Sequence, residues 1–422
     1  MRWLVPGMIA ATLAFGCRGP RRRTPVPTAP DDEDPRPAPL AAPPPRAPAC
    51  ERLPPEWRVA PAPGISIPAQ AIDGVTVVRA AAGDYVAWLD RTTRSLVLSP
   101  PHGPTVHREL PAVELTGPEV LSVEPNILVA TAAMSPERRS HRVERVRAGA
   151  FQLVFETDEA ADDGFSMAAV SNARGAWIAW SEPRADGLGV VRTQFLPAAG
   201  LSGRLPLPAA PALRDVSPPD QNASDPALVM FADGSVAVIW LALAAMDAGS
   251  ANQTATDLWI RRIPPDGRAI PIPIRLTTAS ATRFGVSGIA RDGAVWITYR
   301  VAGDAEGESL GDGGNVAVLR LDADLRGTRA ATVVTDPNAV PTGVSQIVTA
   351  GPETWIFWAE RRGEAIVTLR RALSADGGAL GASLIEAAFD GDVPDGGDLR
   401  SGLYAAVRGS HGEPGVARWR CP

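Results

Sequence analysis

Gly175-Ala176-Trp177-Ile178-Ala179-Trp180 is a β-rich run that follows a turn and ends in an aromatic residue, and the chain repeats it. Gly83-Asp84-Tyr85-Val86-Ala87-Trp88, Gly234-Ser235-Val236-Ala237-Val238-Ile239-Trp240, Gly293-Ala294-Val295-Trp296-Ile297-Thr298-Tyr299 and Thr354-Trp355-Ile356-Phe357-Trp358 have the same form. Asn126 to Thr131 is a weaker copy, and Gly415-Val416-Ala417-Arg418-Trp419 reads as a last one. The closing positions are 88, 131, 180, 240, 299, 358 and 419, with intervals of 43, 49, 60, 59, 59 and 61 residues. Seven units of roughly 40–60 residues match the blade length of a β-propeller.

Outward from each run, the unit reads as four strands. Pro226 to Phe231 precedes the turn Ala232-Asp233-Gly234, and Ser235 to Trp240 follows it. Asp257 to Arg262, the turn Pro264 to Gly267 and Ala269 to Ile274 complete the unit. Asp-Gly pairs at 233–234, 266–267, 292–293 and 376–377 are hairpin signals, because both residues accept positive φ at little cost. Pro271 and Pro273 suit an outer edge strand, where a missing N–H breaks no ladder. Unit length varies mainly between the second and third strands, so insertions gather in one kind of loop. The expected fold is all-β: a β-propeller of about seven four-stranded blades, with an array of β-sandwiches as the rival.

Closure follows from the ends. The last unit offers Gly402 to Arg408 and Gly415 to Arg420 as first and second strands, and then the chain stops. Its outer strands must come from elsewhere, and the β-like segments Glu56 to Ala60 and Gly64 to Pro68 are unassigned. Donating them to the final blade sets Cys50 beside Cys421, and a disulfide between these two is expected to close the ring. Two free buried thiols are the alternative.

The third cysteine belongs to the leader. Met1-Arg2-Trp3 carries positive charge, and the apolar run Leu4 to Gly16 is too short for a membrane-spanning helix but fits a signal-peptide core. It ends in Leu13-Ala14-Phe15-Gly16-Cys17, which resembles the lipobox of bacterial lipoproteins. Gly16 and Cys17 match; Ala14 and Phe15 depart from the usual pattern. The resemblance implies a signal peptide over 1–16 and lipidation at Cys17; ordinary secretion with Cys17 incidental is the other reading. Residues 17–49 hold eleven prolines between Pro20 and Pro48 and the acidic run Asp31 to Asp34. Such a segment buries no core and reads as an extended, disordered tether about 90 Å long. The expected organisation is therefore leader, tether and a propeller over 50–422, lipid-anchored in a bacterial envelope at the outer membrane or cell surface.

Composition narrows the partners. The 422 residues carry a net charge of -6, and every basic residue apart from histidine is arginine. That balance argues against a nucleic-acid binder, which needs a basic face. A monomer with an envelope protein or glycan as its partner is expected.

Trp180-Ser181-Glu182-Pro183-Arg184 leading to Val191-Arg192, and Trp358-Ala359-Glu360-Arg361-Arg362 leading to Leu369-Arg370 and Ala375-Asp376-Gly377, carry a further resemblance. They are similar to the W-S-D-x-R and D-G repeats of large secreted propellers found in myxobacteria. Members are mostly uncharacterised, so the resemblance implies architecture and little function.

The acidic–basic pairs Asp90 and Arg91, Glu182 and Arg184, and Glu360 and Arg361 all lie just past a second strand. They are the candidate ligand face; the competing reading is a strand-end ion pair that stabilises a turn, worth about 0–1 kcal/mol where exposed. Trp88, Trp180, Trp240 and Trp358 read as blade-packing residues, with ligand stacking as the alternative. The loops Asp304 to Asn315 and Asp390 to Asp398 are rich in the hard oxygens that calcium prefers, without EF-hand spacing. No metal or other cofactor is expected beyond that calcium candidacy, since His102, His107, His141 and His411 form no ligand spacing. No nucleophile elbow, P-loop or complete Asp-box is present. Ser374-Ala375-Asp376-Gly377-Gly378 begins an Asp-box, but Gly381 occupies its last position. The leading expectation is a non-enzymatic envelope lipoprotein that binds a protein, peptide or glycan through its loop-rich face. The alternative is a polysaccharide hydrolase or lyase, which as a glycosidase needs two carboxyl groups about 5–9.5 Å apart.

Overall fold

A computed structural model of the chain describes residues 50–58, 72–110, 114–134, 138–157, 159–160, 166–201, 214–243, 255–265, 271–277, 281–302, 314–326, 331–336, 338–386, 396–399, 402–408 and 413–420. All belong to one of the chain's two compact units, Pro43–Pro422. After β1 (Glu51–Trp57), the first blade comprises β2 (Ile72–Ala80), β3 (Gly83–Asp90), β4 (Ser95–Ser99) and β5 (Val106–Glu109). The second has β6 (Glu114–Val123), β7 (Asn126–Met134) and β8 (Arg138–Arg147), whose outer edge is shared by β9 (Ala150–Glu156) and the two-residue β10 (Glu159–Ala160). The third comprises β11 (Met167–Asn172), β12 (Gly175–Pro183), β13 (Gly189–Pro197), a short helix α1 (Ala198–Leu201) and β14 (Arg214–Asp215). The fourth comprises β15 (Ala223–Met230), β16 (Val236–Leu243), β17 (Thr256–Ile263) and β18 (Ile274–Arg275). The fifth comprises β19 (Arg283–Arg291), β20 (Ala294–Val301), β21 (Asn315–Leu321) and β22 (Thr332–Val333). The sixth comprises β23 (Pro341–Ala350), β24 (Glu353–Arg362), β25 (Ala365–Leu373) and β26 (Ala379–Ile385). The seventh joins β27 (Gly396–Leu399), β28 (Gly402–Arg408) and β29 (Pro414–Arg420) to β1.

Each first strand packs against the first strand of the next blade, and β27 packs against β2, so seven inner strands form a closed ring. This is a seven-bladed β-propeller. The repeated runs are its second strands. A second strand has a neighbouring blade on each face, so it reads as a near-continuous apolar run instead of alternating. Alternate side chains of β12 serve different neighbours. Ala176, Ile178 and Trp180 pack with Leu128, Ala130 and Val143 of the second blade, whereas Trp177 and Ala179 pack with Val238 and Trp240 of the fourth. Asp292 and Gly293, at φ 49° and 70°, make the tight turn from β19 to β20 that the dipeptide predicts. In the fourth blade the outer strand begins only at Ile274, past both prolines, because neither can donate to the ladder.

Closure is by strand exchange, with two corrections to the sequence reading. The donated strand is Glu51–Trp57, paired antiparallel to β29 from Glu51↔Arg420 to Trp57↔Gly415. Residues 59–71, with the expected Gly64 to Pro68 segment, lie outside the described residues. The seventh blade also takes three strands from the C-terminus, not two. Gly402–Arg408 is its second strand and Pro414–Arg420 its third. Trp419 is therefore not the equivalent of Trp358, and the last interval of 61 residues is no repeat distance. The first strand was read as part of a calcium-type loop because Gly396-Gly397-Asp398-Leu399 has no β-branched residue. Pairing with β28 and packing in the ring override that weak local propensity.

An ionic cluster sits at the joint between the first and seventh blades. The Asp84 carboxylate, with its side chain fully buried, accepts from Arg79 of β2 (Nη2, 2.7 Å) and Arg418 of β29 (Nε, 3.2 Å). Arg418 also pairs with Glu56 of the donated strand at 2.9 Å, and Arg58 Nη2 donates to the Asp84 carbonyl at 3.1 Å. Burial pushes the Asp84 pKa up, but the hydrogen bonds and charges of Arg79 and Arg418 outweigh it and hold the group below the usual range. Cys50 is buried one residue before the Glu51↔Arg420 pair, and Cys421 lies outside the described residues.

Candidate functional site

First strands begin, and second strands end, on one face of the ring. Ile72 pairs with Asp90 and Pro341 with Glu360, while the Ser181 N–H donates to the Ser166 carbonyl. The second-to-third-strand loops and the blade-to-blade connections leave from this same face. Asp90, Glu182 and Glu360 therefore share it, but on three separate blades.

Their partners are local. Asp90 accepts from the backbone N–H groups of Thr92 (2.9 Å) and Thr93 (3.0 Å), which closes the turn carrying exposed Arg91. Glu182 is buried, accepts from Trp180 Nε1 at 2.9 Å and pairs with Arg192. Glu360 is likewise buried, accepting from Trp358 Nε1 at 3.2 Å and from Arg362 at 3.0 Å. Period-two geometry explains W-x-E: residues i and i+2 of a strand share a face, so the carboxylate satisfies the indole N–H that burial would otherwise orphan. Arg184 pairs with Asp186 at 2.7 Å and holds that carboxyl below its usual range, and Arg361 is exposed at the end of β24. Trp88, Trp180, Trp240 and Trp358 are all buried between blades.

A second repeated feature escaped the sequence reading. The first strands carry a β-bulge near their start: between Asp73 and Thr76, Thr116 and Glu119, Ser224 and Ala227, Phe284 and Ser287, and Thr342 and Ser345. Gly74, Gly285 and Gly343 occupy the bulge at φ 57°, 61° and 62°. The sequence signal is a glycine two residues before a hydroxyl or acid: Gly74-Val75-Thr76, Gly117-Pro118-Glu119, Gly285-Val286-Ser287 and Gly343-Val344-Ser345. The bulges are tied to adjacent blades. Thr76 Oγ1 accepts from Val120 N–H at 3.1 Å, Ser345 Oγ lies 2.9 Å from Thr298 Oγ1, and buried Arg300 donates to the carbonyls of Gly343 (2.7 Å) and Pro341 (2.6 Å).

The fourth blade departs from the pattern. Where its neighbours have glycine it has Asp225, at φ 48°, followed by Pro226 and Ala227. Aspartate is one of the few side chains that takes this left-handed backbone at modest cost, as Asp292 does at φ 49°. Asp225 is solvent-exposed yet recessed in the inner ring, so desolvation raises its pKa, opposed by hydrogen bonds from Ser166 of the third blade and from Ser224 (3.4 Å). No arginine is among the groups that shift it. Among the described residues, no three His, Cys, Asp or Glu side chains gather as a metal ion would require. Most of 304–315, and 390–395 of the other acidic loop, lie outside the described residues.

No protein-family model matches the chain, and no curated relative does. Among solved structures, it is similar to the polysaccharide lyase Uly1, with 11% identity over 83% of this chain and 90% of that one, at a TM-score of 0.48. It is similar to an α-L-arabinanase of Penicillium chrysogenum complexed with arabinobiose, with 10% identity over 88% of this chain and 98% of that one, at 0.45. An α-L-arabinofuranosidase mutant of Fusarium graminearum, in complex with an iminosugar inhibitor, gives 10% identity over 72% of this chain and 91% of that one, at 0.44. Likeness at this level carries no argument about substrate or reaction.

Proposed function

We propose that the protein is a lipid-anchored lipoprotein of the bacterial envelope, akin to the secreted myxobacterial propellers, whose loop-bearing face binds a glycan. The observation that supports this is the convergence, on one face, of the bulged ends of the inner strands and the loops of variable length. At that rim the half-buried hydroxyls of Ser166 and Ser224, the Asp225 carboxyl and exposed Val344 offer a mixture suited to sugar hydroxyls and the apolar face of a pyranose ring. Glu182 and Glu360 are each committed to an indole and an arginine of their own blade, which favours binding over hydrolysis through that pair.

A second reading, a polysaccharide hydrolase or lyase, is supported by Asp225, because a general acid needs a carboxyl whose pKa is raised. One experiment separates the two. Mature protein is incubated with neutral and uronate-containing polysaccharides, retention is measured, and the products are sized by chromatography. Retention without new chain ends supports a binder, new reducing or unsaturated ends support the enzyme, and no retention on any glycan overturns both. For the anchor, Cys17→Ser is expected to lose fatty-acid labelling and leave the membrane fraction. Wild type without an acyl chain would overturn the lipoprotein reading.

A further inference from the structure

Asp225 is the one described position in the bulge ring where a carboxyl replaces the glycine, and its neighbours show what the fold alone requires. At three other bulges Gly74, Gly285 and Gly343 take the positive φ, and at two of these the seam is tied by a hydroxyl two residues on, Thr76 and Ser345. In the fourth blade that later position is Ala227, which has no hydroxyl, and the carboxyl of Asp225 reaches back to Ser166 instead. A serine at 227 with glycine at 225 would restore the pattern of the other blades without strain. The chain carries an acid in its place.

Resting on the glycan reading above, we propose that Asp225 is the anchoring carboxyl of the binding face and takes vicinal hydroxyls of a neutral saccharide. Two observations choose that ligand class. The groups acting on the carboxyl are the hydroxyls of Ser166 and Ser224, so a ligand O–H would extend a pattern already present. Val344, more than half exposed one residue past Gly343, and partly buried Val75 and Val286 place apolar surface at the equivalent rank of other blades. The structural alternative is that Asp225 serves only to tie the third blade to the fourth.

Asp225→Gly separates these roles, because glycine suits φ 48° and removes the carboxyl. In the full chain the substitution is expected to hold the melting temperature within about 2 °C, as the easier positive φ of glycine offsets the lost bond to Ser166. Calorimetric titration with arabinohexaose, xylohexaose and cellohexaose is expected to show binding weakened about tenfold or more. Asp225→Asn, which keeps an acceptor of the same shape, is expected to fall between the two. A variant that melts several degrees lower and binds as wild type does would make Asp225 a seam residue and overturn the proposal. Tri-lysine bound by wild type and lost in Asp225→Gly, with no oligosaccharide effect, would overturn it in favour of a cationic ligand. If wild type binds no oligosaccharide, the glycan reading itself falls; if wild type and variant bind equally, only the assignment of Asp225 falls.

Discussion

The seam between the third and fourth blades and the seam between the seventh and first solve one packing problem by different means. At the former, Trp177, Ala179 and Val191 meet Val236, Val238 and Trp240 in a broad apolar contact, crossed by hydrogen bonds such as that from Gly189 N–H to Asn222 Oδ1 at 2.7 Å. At the latter, a smaller apolar group of Val77, Val86, Trp88, Val97 and Val416 is joined by the Asp84, Arg79, Arg418 and Glu56 cluster. Chain continuity already sets the register of the fourth blade on the third. The closing seam joins residues 334 positions apart, and directional charged hydrogen bonds specify a register that hydrophobic contact alone leaves loose.

The comparison is tested first where the effect is largest. Removing residues 50–58 strips the seventh blade of its outer strand and of Glu56 and Arg58, so cooperative thermal unfolding is expected to be lost. A sharp transition retained at the wild-type temperature would show that the donated strand is dispensable. Non-reducing peptide mapping of the intact protein is expected to recover the Cys50 and Cys421 peptides as one linked species. Recovery of each as a separate thiol peptide would remove the disulfide from the closure.

Trp180→Ala tests the apolar means of joining blades. It empties a fully buried site between the second and third blades and takes the indole partner from the Glu182 carboxylate, so chemical denaturation is expected to register a loss of about 3–5 kcal/mol. Asp84→Asn tests the ionic means, and its expected cost is smaller, about 2–3 kcal/mol, because Arg79 and Arg418 remain about one-third exposed. An equal or larger loss from Asp84→Asn would reverse the comparison. The same group gives the closing seam an acid dependence. Its folded pKa lies below the unfolded value of about 3.9, so its contribution is complete above about pH 5 and is lost as pH falls through the folded value. Wild type is expected to lose stability between about pH 5 and 2 more steeply than Asp84→Asn, measured by denaturation at each pH.

The smallest effect belongs to Glu182→Gln. The amide still accepts from the Trp180 indole but gives up the charge facing Arg192, and a loss of about 1 kcal/mol is expected with glycan retention unchanged. Lost retention without lost stability would return Glu182 to the ligand face.

Architecture was legible because second strands are buried on both sides and must be apolar and aromatic over their whole length, as in Ala176 to Ser181. Their spacing counts the blades, and the shortage of C-terminal strands calls for a donor from the N-terminus. Gly396–Leu399 was not legible, since a short inner strand held by its neighbours needs no β-propensity of its own. The W-x-E pairs could be read equally as ligand groups or as braces, because sequence states which groups are two residues apart and not whether the pair faces solvent.

Asp225 shows the limit most clearly. As a letter it is one aspartate among 47 acidic residues, set before a proline in an ordinary turn-like stretch. Its glycine equivalents Gly285, Gly343 and Gly74 lie 60, 118 and 151 residues away along the chain, and only the closed ring brings their positions into one circle. Composition and periodicity determined the blade, its repetition and the need for closure, since these depend on local burial and chain length. Which carboxylates are spent on indoles and arginines, and which one at the rim is met by hydroxyls among the described residues, was decided by tertiary structure, because charge pairing and desolvation depend on neighbours that sequence distance does not reveal.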